Sequence, residues 1–151
     1  MIISVREYLH LIRRGIPESI AEYSREIERL DGLILSAVPN YGADPIQKSK
    51  SLSKPEQYVE ALEKIRDKYD TLVTLYEKER ARCVENIQHL PTPDQSQVAY
   101  LYIIMGESWE KIACTRHTTF EAVRALMVRA YASYETLYGY EQEIDDRIYR
   151  A

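Results

Sequence analysis

The segment that decides the fold runs from residue 98 to residue 134 and reads VAYLYIIMGESWEKIACTRHTTFEAVRALMVRAYASY. It predicts three helical stretches separated by two short turns. Gly106 ends the first stretch, because glycine readily adopts the backbone conformation that closes a helix. Ser108 and Thr119 are placed to cap the second and third stretches, since hydroxyl oxygens accept hydrogen bonds from the free amides of a first helical turn. Residues 115–118 form the break between these two helices.

Each of these two helices has an apolar face that can pack against the rest of the protein. In the first of them the inward residues are Trp109, Ile112 and Ala113, and we expect Trp109 in the core between helices. In the second, the residues assigned to the packed side are Val123, Leu126, Val128 and Ala130. Two helices joined by so short a break have the spacing of a helix-turn-helix, which presents its second helix to the DNA major groove.

The segment resembles region 4 of sigma-70-type RNA polymerase sigma factors. It is more similar still to the sigma-like carboxyl-terminal domain of small phage regulators of the ArpU and RinA type. The matching residues are Tyr100-Leu101-Tyr102, Gly106, Ser108-Trp109-Glu110, Ile112-Ala113, Thr119 and Val123. The resemblance implies a transcriptional regulator of phage or prophage origin that binds promoter DNA through a sigma-like helix-turn-helix.

One part of the turn departs from the family pattern. The family usually has Leu followed by Gly, whereas this chain has Arg116 followed by His117. A residue with a Cβ is therefore expected at a positive φ, which costs about 1 kcal/mol.

The candidate DNA-contacting residues lie in the turn, at the start of the following helix and beside it. They are Lys111, Arg116, His117, Thr118, Thr119, Phe120, Glu121, Arg124 and Arg129. Arg124 can read a guanine edge or bind a phosphate, and Glu121 can accept from a cytosine amino group. Residues 106–131 contain four cations and three anions in a chain of net charge −4, so the basic character is concentrated here, but weakly.

Composition favours an all-α protein of one or two small domains. The chain has 151 residues with only five glycines and six prolines. Its net charge of −4 argues against strong non-specific affinity for DNA. Two widely separated cysteines, Cys83 and Cys114, indicate reduced thiols rather than a disulfide framework. The first residues, MIISVREYLHLIRR, fit neither a signal peptide nor a membrane span, so we expect a soluble cytoplasmic protein.

The amino-terminal part predicts two helices. Ser4 can cap a first helix whose apolar face is Val5, Tyr8, Leu9 and Ile12. This helix is expected to stop at Gly15, with Pro17 in the first turn of the second helix. The seam of the second helix alternates steps of three and four residues, as in a coiled coil: Ile20, Tyr23, Ile27, Leu30, Ile34 and Ala37.

A third, long helix is predicted over residues 56–90. Its seam consists of Tyr58, Leu62, Ile65, Tyr69, Leu72, Tyr76, Cys83 and Ile87. Glu79 interrupts this seam, and a polar residue there can fix register or oligomeric state. At about 1.5 Å per residue the helix extends roughly 50 Å, about twice the length of the second helix. The remaining seam must meet the first helix, the helix-turn-helix or another copy of the chain, and we expect a homo-oligomer, most simply a dimer.

Three regions follow from this pattern. Residues 1–90 form a coiled-coil-like helical hairpin that serves for oligomerisation, with a loop over residues 39–55 that connects its helices or contacts DNA phosphate or polymerase. Residues 91–139 form the helix-turn-helix domain, entered through the stiff Pro91 and Pro93 and closed by Gly139. Residues 140–151 form an acidic tail, with a further amphipathic turn or two through Ile144 and Ile148.

Nothing in the sequence predicts an enzyme, a metal site or a cofactor. Cys114 and His117 have the spacing of metal ligands, but a single pair cannot complete a four-ligand site. The expected partners are double-stranded DNA, RNA polymerase and a second copy of the chain, without a membrane. Two alternatives remain open. One is an interaction module that contacts RNA polymerase or another regulator without reading bases, and the other is a DNA-packaging protein like a phage small terminase subunit.

Overall fold

The computed structural model describes residues 1–37 and 53–149, and within these ranges the protein is mostly helical. Its elements in chain order are β1 (Ile2–Ser4), α1 (Val5–His10), a first π-helical segment (Leu11–Gly15), α2 (Ile16–Ala37), α3 (Lys54–Gln88), α4 (Pro93–Ala99), a second π-helical segment (Tyr100–Ile104), α5 (Trp109–Thr115), α6 (Phe120–Tyr138), β2 (Glu141–Glu143) and α7 (Asp146–Tyr149). The predicted loop up to residue 52 and the last two residues of the predicted tail lie outside the described residues.

Two amino-terminal helix boundaries are fixed by serine caps. The Oγ of Ser4 accepts a hydrogen bond from the backbone N–H of Glu7 at 3.1 Å, as predicted for α1. Ser53 and Glu56 form a reciprocal capping box at the start of α3. The predicted loop end at residue 55 was therefore too late, because Lys54 and Pro55 already belong to the first turn of α3.

The predicted stop at Gly15 is wrong. The chain passes from α1 through the first π-helical segment into α2, and the backbone N–H of Ile16 donates to the carbonyl of Leu11. Proline crowds the carbonyl four residues before it and has no N–H to donate. A wider π turn just before Pro17 accommodates both effects, so the helical path continues where the sequence suggested a break.

α2 and the part of α3 beside it pack along their predicted seams and run in opposite directions. Leu30 and Leu62 are buried between them. The direction follows from three contacts of α3 with the chain before the loop. Arg66 pairs with Asp31 at 3.5 Å, the hydroxyl of Tyr76 lies 3.5 Å from the carbonyl of Ile12, and Tyr8 donates to Glu79 at 3.0 Å. Residues earlier in the chain therefore meet later residues of α3.

The carboxyl-terminal half of α3 is covered by both ends of the chain. Its buried residues Leu72, Cys83 and Ile87 belong to one apolar core with residues from α1 through α7. The core partners include Val5, Tyr8, Leu9, Ile12, Val98, Ile103, Ile112, Val123, Met127, Ala130, Tyr134, Ile144 and Ile148. The seam beyond α2 is thus covered within one chain at these positions. Dimer formation and the division into three regions stay predictions.

The two ends of the described chain meet in a short antiparallel sheet. Ile2 lies opposite Glu143 and Ser4 opposite Glu141. The sequence analysis did not predict these strands. Ile144 and Ile148 are buried, as the amphipathic reading of the tail implied. Gly139, with φ of 88°, ends α6 as predicted.

Glu79, the polar residue in the seam of α3, is buried against α1. It is 7% exposed, and its Oε2 accepts a hydrogen bond from the hydroxyl of Tyr8 at 3.0 Å. The same hydroxyl lies 3.2 Å from the backbone carbonyl of Glu79. Burial raises the pKa of Tyr8, so its hydroxyl stays protonated and remains a donor. The polar position therefore sets the register of α3 against α1 inside the chain.

Burial also controls the ionisation of the core thiol. It raises the pKa of Cys83 to about 12, so this cysteine is a neutral apolar group at neutral pH. Cys114 is exposed, and both thiols are free. Across residues 1–37 and 53–149, none of the helices is both long and apolar enough to cross a membrane.

Removing the hydroxyl of Tyr8 tests the buried hydrogen bond. Tyr8→Phe removes the hydroxyl that donates to the buried Glu79 carboxylate and leaves it only the longer ion pair with Arg82 at 3.7 Å, so the free energy of unfolding should fall by about 1–3 kcal/mol in urea denaturation. Tyr23→Phe is the matched control, because Tyr23 is half-buried in α2 and its hydroxyl makes no hydrogen bond to the described residues. The control should change the free energy by less than about 0.5 kcal/mol. Equal losses in the two variants would contradict the assignment.

Candidate nucleic-acid interface

The predicted starts of α5 and α6 are confirmed by their caps, whereas α5 includes Thr115, which the sequence assigned to the break. The Oγ of Ser108 accepts from the N–H of Lys111 at 3.2 Å, and the Oγ1 of Thr119 accepts from the N–H of Ala122 at 3.1 Å. Gly106, with φ of 67°, lies in the turn before α5. Each cap satisfies an amide of the first turn that has no partner inside its own helix.

The turn between α5 and α6 closes in a Schellman motif. The N–H of His117 donates to the carbonyl of Cys114 at 3.3 Å, and that of Thr118 donates to Ala113 at 2.9 Å. His117 has φ of 53°, so a residue with a Cβ occupies the left-handed position, as the sequence predicted. The turn keeps its geometry without the usual glycine, at the cost of local strain.

The packed face of α6 differs from the prediction at one residue. Val123 and Ala130 are buried as expected, but Val128 is 58% exposed and Met127 is buried in its place. Buried positions on a helix recur at steps of three or four residues, which Val123, Met127 and Ala130 obey. Val128 is two residues from Ala130, so both cannot share that face.

Trp109 lies in an aromatic row rather than fully inside the core. Its ring centroid is 5.5 Å from that of Tyr102 on one side and 5.5 Å from that of Phe120 on the other. Trp109 is half-buried, and its buried Nε1 has no hydrogen-bond partner among the described residues. Phe120, a predicted DNA contact, is thus packed edge-on against Trp109 while remaining partly exposed.

Two of the predicted DNA-contacting cations form ion pairs with other residues of the chain, Arg116 half-buried and Lys111 at the surface. The guanidinium of Arg116 binds Asp94 at 2.9 Å and also donates to Gln97, which ties the end of α5 to α4. Lys111 lies 3.5 Å from the carboxylate of Glu107. The sequence offered no signal for the Arg116 contacts, because its partners lie about twenty residues earlier in the chain.

Three other residues predicted to contact DNA lie on the exposed side of α6. Glu121, Arg124 and Arg129 are exposed, and none forms an ion pair with another described residue. At 3.6 residues per turn, the two arginines lie about 140° apart around the axis and flank one exposed strip. His117 and Thr118 are exposed in the turn, and Thr119 is exposed but uses its hydroxyl for the cap.

Arg13, which the sequence analysis did not single out, reaches this region from the first π-helical segment. Its Nε donates to the carbonyl of Tyr102 at 3.1 Å, and its Nη2 lies 3.5 Å from the carbonyl of Glu107. Its guanidinium carbon lies 4.1 Å from the centroid of the Tyr102 ring. Arg13 and Tyr102 are about ninety residues apart in the sequence, so no local pattern predicts their contact.

The described residues offer little for other chemistry. Among them, no group of three or more His, Cys, Asp or Glu side chains is arranged to hold a metal ion. Comparison of the chain with protein-family models, curated proteins and solved structures found no match. The case for a nucleic-acid interface therefore rests on the residues and geometry of α5 and α6.

Replacing His117 by glycine tests the strained turn. His117→Gly should raise the free energy of unfolding by about 0.5–1 kcal/mol, because glycine adopts a positive φ without a Cβ clash. Cys114→Gly is the matched control, since Cys114 is exposed within α5. That control should lower the stability, because glycine disfavours a regular helix. Thermal or urea unfolding measures the stability of both variants. If His117→Gly is destabilised as well as Cys114→Gly, the turn is not strained at His117.

Proposed function

We propose that the protein is a DNA-binding transcriptional regulator of phage or prophage origin. In this proposal α5 and α6 form a helix-turn-helix, and α6 is the helix that enters the major groove. The observation that carries the proposal is the α5–α6 unit itself, with its two capped helices, its closed turn and an exposed strip flanked by Arg124 and Arg129, which form no ion pair with the described residues. The residues of this segment that match sigma-like phage regulators support the same function.

Arg124 and Arg129 are placed so that one can contact base edges and the other can bind the phosphate backbone of a duplex. Arg124 lies just over one turn into α6, where residues of a recognition helix contact base edges. Its planar guanidinium can bind the O6 and N7 atoms of guanine together. Arg129 lies about 7.5 Å further along the axis and on the other edge of the strip, where it can bind a phosphate.

The charge of the protein limits its affinity for DNA backbone. The whole chain carries −4, and Arg116 and Lys111 already have acidic partners. Fewer free cations release fewer counterions, so binding should be modest and only weakly dependent on salt. A second copy of the chain or RNA polymerase would supply the remaining affinity. We propose the α2–α3 helical hairpin as the part that makes such a contact.

A second candidate is a module that binds RNA polymerase or another regulator without reading bases. The net acidity and the internal pairing of Arg116 and Lys111 favour it. A phage small terminase subunit is the third candidate, and it would form a ring-sized oligomer. A sizing column separates these states, because a dimer supports the regulator and a ring supports the packaging protein.

Arg124 provides the test of base reading. Binding is measured to genomic fragments at two salt concentrations, first with the wild-type chain and then with Arg124→Ala. A regulator should prefer one fragment, and the substitution should weaken binding to it by about 1–3 kcal/mol. Arg25→Ala is the matched control, because Arg25 is exposed on α2 without an ion pair to another described residue and removes the same charge.

Two outcomes would overturn the proposal. Absence of DNA binding at low salt would exclude both the regulator and the packaging protein. Equal losses from Arg124→Ala and Arg25→Ala would show that only net charge matters, and that α6 reads no bases. The interaction module would then be the better account.

A further inference from the structure

Arg13 joins the amino-terminal helices to the chain just before α5. It donates to the carbonyls of Tyr102 and Glu107, at 3.1 Å and 3.5 Å. Tyr102 lies in the second π-helical segment, and Glu107 lies in the turn that follows it. Carbonyls at the end of a helix lack partners within that helix, and a cation there is favoured by the helix dipole. Arg13 therefore caps a helix that is remote from it in sequence.

The same arginine begins a row of stacked side chains that ends at α6. Its guanidinium lies over the ring of Tyr102, with 4.1 Å from Cζ to the ring centroid. Tyr102 stacks on Trp109 with ring planes 31° apart, and Trp109 meets Phe120 edge-on at 67°. Phe120 is the first residue of α6. The row thus runs without a gap from the first π-helical segment to the start of the proposed recognition helix.

We propose that Arg13 is a positioning residue for DNA binding: it holds Tyr102 and, through Trp109, fixes the direction in which α6 is presented. This inference rests on the proposed function of α6. Arg13 itself lies on another part of the chain and does not touch DNA. The amino-terminal helices consequently contribute to DNA affinity through packing, in addition to any role in oligomerisation.

Arg13 and Arg116 both contact residues in or beside α5, but they connect this region to different parts of the chain. Arg116 binds Asp94 and Gln97, so its contacts stay within the region that follows α3. Arg13 is the one of the two that connects this region to the segment before α2. Loss of Arg116 removes the polar link between α5 and α4, whereas loss of Arg13 removes the polar and stacking link from the first π-helical segment toward the start of α6.

The test compares Arg13→Ala with Arg14→Ala on the duplex that the wild-type chain prefers. Arg14 is the matched control, because it is the next residue, is largely exposed and pairs only with Glu18 at 3.6 Å among the described residues. Arg13→Ala should weaken binding about threefold to thirtyfold, the range for residues that act through packing. Arg14→Ala should stay within about twofold of wild type.

The salt dependence separates positioning from direct contact. An arginine that binds phosphate contributes about one unit to the slope of log affinity against log salt. Arg13→Ala should leave that slope unchanged, while a loss of one unit would make Arg13 a DNA contact and overturn the inference. Titration of DNA at protein concentrations above the Kd measures the fraction of the protein that is able to bind DNA. A reduced fraction with unchanged Kd would show a role in stability alone, which also overturns it.

Trp109 gives a readout that does not depend on DNA, because it is the single tryptophan of the chain. Arg13→Ala should increase quenching of its emission by acrylamide, and Arg14→Ala should not. Arg13→Lys should restore part of the wild-type behaviour, since an ammonium keeps the charge over Tyr102 but lacks the planar fork that reaches two carbonyls. A wild-type chain that binds no duplex overturns the proposed function. Unchanged Trp109 quenching in Arg13→Ala overturns the positioning role, whatever the DNA result.

Discussion

The burial of α3 by residues from both ends of the chain is the constraint on which the other features depend. Leu72, Cys83 and Ile87 belong to one apolar core with residues of α1, α6 and α7, so α2 is not the sole cover of this part of α3. Burial of apolar surface contributes about 25 cal/mol per Å². Because the elements that cover this half of α3 share one core, this burial stabilises their contacts with one another and with α3. The buried face of α6 packs in this core, and Arg124 and Arg129 flank the strip of α6 that stays exposed.

Polar contacts give this apolar core its register. The Tyr8 hydroxyl fixes α1 on Glu79, and the guanidinium of Arg13 fixes the first π-helical segment on Tyr102 and Glu107. Hydrophobic burial is not directional, whereas a buried hydrogen bond fails when its partners shift by about an ångström. Of the two contacts, only that of Arg13 reaches the residues just before α5, whose first turn is capped by Ser108. The direction of α6 then follows from the short closed turn after α5.

The sequence predicted the features that depend on near neighbours. The caps at Ser108 and Thr119 and the positive φ of His117 each arise within three or four residues, so spacing alone reveals them. The pairing of β1 with β2 could not be predicted, because its strands stand at opposite ends of the chain. The internal partners of Arg116 were missed for the same reason. For the candidate site, the sequence placed Arg124 on an exposed helix face but could not show that Arg116 is paired with Asp94. The pair of Lys111 with Glu107, four residues earlier, has a spacing that a helix brings together, and it was not predicted although the sequence contained the signal.

The central claim is that α6 shares one core with α1, and native-state hydrogen exchange tests it most directly. Amides of buried α6 residues such as Met127 and Ala130 should open with the same free energy as those of Tyr8 and Leu9, because one cooperative unit contains them. Leu9→Ala removes a buried side chain, which costs about 2–5 kcal/mol. The account predicts that this substitution lowers the opening free energy equally in α1 and α6. Unchanged protection of α6 in that variant would show that α6 folds independently of α1 and would contradict the account.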